Sequence, residues 1–125
     1  MVSCGMMAHE RLKCWELGHQ LAVKVYRMTL GWPPEERYGL TSQIRRAAAA
    51  VPTTLAEGAA KRGPRELRRY VDISLASVSE CGYLLYLARD LGLLTPDDYA
   101  HLDSLRKQTG GLIWRLARAL DQRRP

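Results

Sequence analysis

LTSQIRRAAAAVPTTLAEG, residues 40–58, decides the fold, because it is either one helix with a proline inside it or two elements divided at Pro52. Proline removes the N–H of residue 52 and its ring crowds the carbonyl of Ala48, at a cost of about 3 kcal/mol or more inside a regular helix. The apolar stripe nevertheless runs straight through: at helical spacing Leu40, Ile44, Ala47, Val51, Leu55 and Gly58 stay on one side. The pattern predicts a kink at Pro52 within a continuous helix. Ala47 to Ala50 add little bulk around the bend, and the hydroxyls of Thr53 and Thr54 are expected to take up the freed carbonyls.

Outward from this stretch, the punctuation falls at GWPP (31–34), KRGP (61–64) and GLLTP (92–96), which leaves four segments. Each break ends in Pro, which suits the first turn of a helix, where its missing N–H has no intrahelical partner. Thr95-Pro96-Asp97-Asp98 is the clearest start, with a capping hydroxyl, a proline and two carboxylates at the positive helix end. The first segment places Trp15, Leu17, Gly18, Leu21, Ala22, Val25, Tyr26 and Met28 on one half of a helical wheel, and Lys13, Glu16, Gln20, Lys24 and Arg27 on the other. The third carries the stripe Leu67, Val71, Ser74, Val78, Cys81, Leu85, Ala88, and the fourth Leu102, Leu105, Thr109, Leu112, Ile113, Leu116, Leu120. Both run on three-and-four spacing, the pattern of bundle seams.

Phe is absent, and strand-like alternation is missing. Short connections make consecutive helices antiparallel neighbours. The expected fold is all-α: an antiparallel up-down-up-down four-helix bundle over residues 10–122, with helices at about 13–30, 35–61, 64–91 and 96–122, after a flexible N-terminus (1–9) and before a basic tail (123–125). A chain of 125 residues suits one core.

Composition narrows the chemistry. Cys4, Cys14 and Cys81 are odd in number with no CxxC pair, and His9, His19 and His101 are not helically spaced from a Cys or from one another, so no metal site or cofactor is expected. GxSxG, HExxH and phosphate-loop motifs are absent, and Glu57 and Glu80 have no nearby His, so no catalytic residues are assigned and an enzyme is not expected. No run of about eighteen apolar residues is present, and the start MVSCGMMAHE lacks a secretory pattern; the expectation is a cytoplasmic protein with no membrane partner.

Net charge is +6, and fifteen of nineteen basic residues are Arg, the side chain best suited to bidentate contact with phosphate. KRGPRELRR, residues 61–69, sets Lys61, Arg62, Arg65, Arg68 and Arg69 against Glu66 alone. With Arg45, Arg115 and Arg118 these form the candidate nucleic-acid-binding set, RNA or RNA/DNA, against the alternative of a solubilising charged turn.

Two further patterns concern structure and assembly. Gln43, Arg46, Ala50, Thr53 and Glu57 share one face of the second helix, either as a solvated face or as a polar network. Arg46 and Glu57 are about 16 Å apart along it and need partners elsewhere. Glu80 falls among Ile73, Ala76, Leu84 and Leu87 on the third helix, where its carboxylate requires a cation; Arg46 is the expected partner. Trp114 lies beyond the apolar arc of the fourth helix, beside Gly110 and Gly111, and the three are expected at a subunit contact.

With LKCWELGHQLAVKVYRMT (12–29) followed by LxxQxRRAA, Pro52, the AEG element and a SxxE element on the next helix, the chain resembles the 23S rRNA-intervening-sequence proteins over roughly residues 10–120. That family is similar in fold to the accessory variability determinant of diversity-generating retroelements. The resemblance implies a ring-like homopentamer with a basic surface suited to nucleic acid and, in the retroelement case, a reverse-transcriptase partner; no enzymatic activity is implied. It also implies that Gln43, Arg46, Glu57 and Glu80 form a structural network. The chain departs from the family in having Thr53-Thr54 where Ser-Asn is common, and Ala76-Ser77 where an Ala-Gly-Ser-like step is usual.

Overall fold

Pro52 lies inside an unbroken helix. The computed structural model describes residues 5–123, in which α1 spans Gly5–Met28, α2 Leu40–Ala59, α3 Gly63–Asp90 and α4 Pro96–Arg123, with short 3-10 turns at Thr29–Gly31 and Pro34–Glu36. Each helix packs on its sequence neighbours and α1 closes against α4, giving the all-α four-helix bundle. Its buried residues fall in two clusters, one around Leu21, Ile44, Leu85 and Leu102, the other around Val51, Val71, Ile113 and Leu120.

The surroundings of the proline explain how a helix carries it. Pro52 is buried, and α1 meets it with a glycine: a Cβ on Gly18 would lie 3.1 Å from Val51 Cγ1 and 3.5 Å from the Pro52 nitrogen. From the other side, the buried Ser74 hydroxyl of α3 donates to the Val51 carbonyl at 2.9 Å. Thr54 Oγ1 donates to Ala50 O at 2.7 Å, so its hydroxyl serves Ala50 rather than the carbonyl of Ala48, and Thr53 is exposed. The expected relief by both threonines is thus corrected to one side chain acting within its own turn.

The helix ends differ from expectation at the first connection. α2 begins at Leu40, not near 35, because Pro33-Pro34 start a separate 3-10 turn and Glu36 then serves as the cap of α2, accepting the Leu40 N–H through Oε1 at 3.1 Å. The carboxylate also faces the positive helix end. α1 reaches back to Gly5, so residues 5–9 of the expected flexible terminus are helical, while residues 1–4 and 124–125 lie outside the described residues.

The other two connections are built on glycine. Gly63 and Gly92 each have φ of +79°, the left-handed region that side chains disfavour. After α3, Leu93 N–H bonds Ala88 O at 2.9 Å and Gly92 N–H bonds Arg89 O at 3.0 Å, the Schellman pairing. Thr95 Oγ1 accepts the Asp98 N–H at 3.1 Å and so caps α4.

α3 is long and apolar enough, by length and composition, to cross a membrane, with a mean hydropathy of 1.2 over its best window. Its Leu67, Val71, Val78, Leu84, Leu85 and Ala88 are buried in the bundle, which accounts for the composition.

Candidate nucleic-acid interface

The basic run folds as the α2–α3 turn and the first turns of α3, at one end of the bundle. Lys61, Arg62 and Arg65 are exposed and make no ion pair among the described residues. Tyr70 anchors the turn: its ring lies 5.5 Å from Lys61 Nζ and 4.9 Å from the Arg69 guanidinium. That ring approaches α2 closely because residue 58 is glycine, where an added Cβ would come within 2.7 Å of Tyr70 Cβ. Arg69 also meets Glu66 at 3.5 Å, and both side chains remain largely open to solvent. Cation–π contacts of this exposed kind contribute about 0.5–1 kcal/mol and leave the positive charge in place for an anion.

Arg68 has a different position from its neighbours. Its Nε donates to Asp121 Oδ1 at 2.8 Å and its Nη1 to Asp72, and its side chain is only 19 % exposed. The hydrogen bond to Asp121, then that to Asp72, hold its guanidinium protonated above the usual arginine range. This residue clasps α3 to α4, so the structure removes it from the phosphate-facing set.

Arg115 and Arg118 are exposed on α4, the latter with its guanidinium 5.0 Å from the Trp114 ring. Trp114 itself is 53 % exposed, and Gly111 faces open space. Gly110 instead packs inward, where a Cβ would stand 3.2 Å from Val78 Cγ1. Its role is close approach of α4 to α3, which corrects its expected place at a subunit contact.

Arg45 stands apart from that set, some fifteen residues of α2, about 22 Å, away from the basic turn. Its Nε donates to Thr29 Oγ1 at 2.7 Å, its Nη2 to Tyr26 O at 3.3 Å, and its guanidinium lies 4.8 Å from the Tyr26 ring. There it lines an open cleft of about 640 Å³ where α1 hands over to α2, together with Arg37, Arg46, Tyr38 and Trp32. Arg37 and Tyr38 were missed by sequence reasoning, which placed them inside α2. The signal available was three arginines and three aromatics bracketing the WPP break.

The polar stripe of α2 is solvent-facing: Gln43, Arg46 and Glu57 are all exposed. Glu80 is exposed too, because Ile73 at 41 % and Ala76 beside it are themselves open to solvent, and no ion pair joins Glu80 to Arg46. The expected pairing and desolvation of that carboxylate are therefore corrected. Within this chain all four residues are exposed, three on α2 and Glu80 on α3.

Comparison with known proteins places this geometry. A crystal structure of a protein with unknown function from the S23 ribosomal protein family of Bacteroides thetaiotaomicron superposes with a TM-score of 0.79 at 14% identity, covering 87% of this chain and 98% of that chain. At that identity the likeness shows the fold. No curated protein matches the chain. The family model of the 23S rRNA-intervening sequence protein matches residues 10–115, and the chain belongs to that family.

Proposed function

We propose that the protein is a non-catalytic, oligomeric accessory or scaffold protein that binds nucleic acid, RNA in the first instance, through the basic end of its bundle. The observation that carries this reading is the α2–α3 turn, where Lys61, Arg62 and Arg65 stand exposed without carboxylate partners among the described residues, in a segment of net charge +4. Such contacts are independent of sequence and sensitive to salt, each neutralised phosphate adding about 0.9 to the salt slope on duplex DNA and about 0.7 on single strands. The test is the affinity of labelled RNA for the wild type and for the combined substitution Arg62→Glu, Arg65→Glu and Arg69→Glu. Loss of binding with a shallower salt slope is expected; unchanged affinity overturns the assignment.

Assembly into a ring-like homopentamer is part of the same reading, supported by the half-exposed Trp114 beside the open Gly111. A monomer in light scattering overturns it. In this form the protein serves as the accessory subunit of a diversity-generating retroelement reverse transcriptase. Trp114 equally favours a second reading, a structural protein encoded within a ribosomal-RNA intervening sequence and acting through protein–protein contact. A reverse transcriptase and template repeat beside the gene support the first role, and placement inside a ribosomal RNA gene supports the second.

A further inference from the structure

The cleft at the α1–α2 corner combines positive charge with exposed aromatic surface. Its lining holds Arg37, Arg45 and Arg46 and not one carboxylate, so three positive charges converge with no compensating acid. Arg45 is fixed in advance by Thr29, the Tyr26 carbonyl and the Tyr26 ring. Arg37 and Arg46 are exposed and make no ion pair among the described residues, which leaves both guanidinium forks open to an anion.

An aromatic surface lies next to this charge. Tyr38 is 90 % exposed, and no ring or cation packs on it among the described residues. A tyrosine so placed adds nothing to the core, and its ring face is available for stacking. Leu30, 77 % exposed, extends the apolar rim.

A third observation points the same way. Among the described residues, the two buried side-chain polar atoms without a hydrogen-bond partner are Trp32 Nε1 and Thr41 Oγ1, and both residues line this cleft. The other buried threonines bond back to the carbonyl four residues earlier, as Thr29 does to Val25 and Thr109 to Leu105. Thr41 does not. Both atoms are shielded from solvent in this state, so an occupant would reach them only as the lining opens, and their unmet hydrogen-bonding capacity would then add to the pull of the three arginines.

We propose that this cleft holds one nucleotide of single-stranded nucleic acid, its base stacked on Tyr38 and its phosphate held by Arg37 and Arg46. A strand suits the site better than a free nucleotide, because small-molecule pockets enclose most of their ligand, whereas this one is an open trough with a rim as exposed as Leu30 and Tyr38. The inference rests on the nucleic-acid reading above and adds a second contact at the opposite end of the bundle, one that distinguishes single strands from duplexes. Base stacking on an aromatic side chain requires an unpaired base.

The test measures fluorescence anisotropy of a short labelled oligouridylate and of an RNA duplex of equal length. Tyr38→Ala is expected to weaken single-strand binding by about five- to one-hundred-fold, Tyr38→Phe to preserve it, and both to leave duplex binding unchanged. Arg37→Ala weakens the single strand as well. The exposure of Tyr38 and Arg37 keeps these substitutions away from the core, and matching thermal melts verify this. Wild-type affinity in Tyr38→Ala and Arg37→Ala, with binding lost in the basic-turn variant, overturns the cleft while the nucleic-acid reading stands. Equal loss on single strand and duplex overturns the stacking role, and tighter binding of free uridine monophosphate than of the strand overturns the strand as occupant. A wild type that binds neither RNA overturns both readings together.

Discussion

Arg68 in α3 donates from Nε to Asp121 in α4 at 2.8 Å, and so ties the start of one helix to the end of the next. The same guanidinium also bonds Asp72, one turn further along α3. One basic residue of the 61–69 run thus works within the fold, while Lys61, Arg62 and Arg65 remain open.

This division predicts opposite phenotypes. Arg68→Ala strands two carboxylates near one another and lowers stability by about 1 kcal/mol, the upper range for exposed pairs, with RNA affinity close to that of the wild type. Arg65→Ala does the reverse, leaving the urea midpoint in place and weakening RNA. A stability cycle with Asp121→Asn measures the pair itself; purely additive effects contradict the clasp.

Glycines on α2 and α4 separate packing from propensity. Gly58→Ala gains about 1 kcal/mol of helix propensity, but its Cβ would meet Tyr70 Cβ at 2.7 Å and Leu67 Cδ1 at 3.0 Å. Overpacking of this kind costs about 1–3 kcal/mol, and Tyr70 Cβ is fixed to the backbone, so net destabilisation is expected. Gly111→Ala meets nothing within 4 Å and gains up to about 1 kcal/mol. Thermal melts of the two variants should move in opposite directions.

The bundle was legible because apolar residues at three-and-four spacing have few other uses, and Val71, Val78, Leu85, Leu102, Ile113 and Leu120 are indeed buried. The start of α2 was not, because PPEERYG carries the proline and acids of a first helical turn while its Glu36 acts from outside, capping Leu40. Glu80 was misread for a related reason. A wheel counts an apolar neighbour as buried, whereas Ile73 is 41 % exposed. The turn charges were visible in the sequence, but which arginine is spent on a carboxylate depends on Asp121, more than fifty residues away.

Ser74 offers a test of the contact opposite the proline. Its fully buried hydroxyl donates to the Val51 carbonyl, next to Pro52. Ser74→Ala removes one hydrogen bond and leaves the small side chain's volume nearly unchanged, so a loss of about 1 kcal/mol is expected from denaturant unfolding. An unchanged midpoint would show that the bond adds nothing to holding α3 on α2.

Cys81 ties stability to alkaline pH. Burial, before any nearby charge, pushes its thiol up from 9.0 to about 12; Glu80 and Asp103 push the same way, and Arg106 opposes them. Above pH 9 the unfolded chain ionises this thiol while the folded chain keeps its proton, so the folded state binds more protons and stability falls as pH rises. The contribution is fully present below 9 and is lost on the way to about 12, an effect on the order of a few kcal/mol over the whole window. Cys81→Ala removes the titrating group, and although it lowers stability at neutral pH by leaving a small void, its unfolding free energy should decline less steeply than that of the wild type from pH 9 upward. All other groups are common to both proteins, so the difference between the two slopes isolates the thiol. Parallel slopes would mean that Cys81 ionises as readily in the folded chain as in the unfolded one.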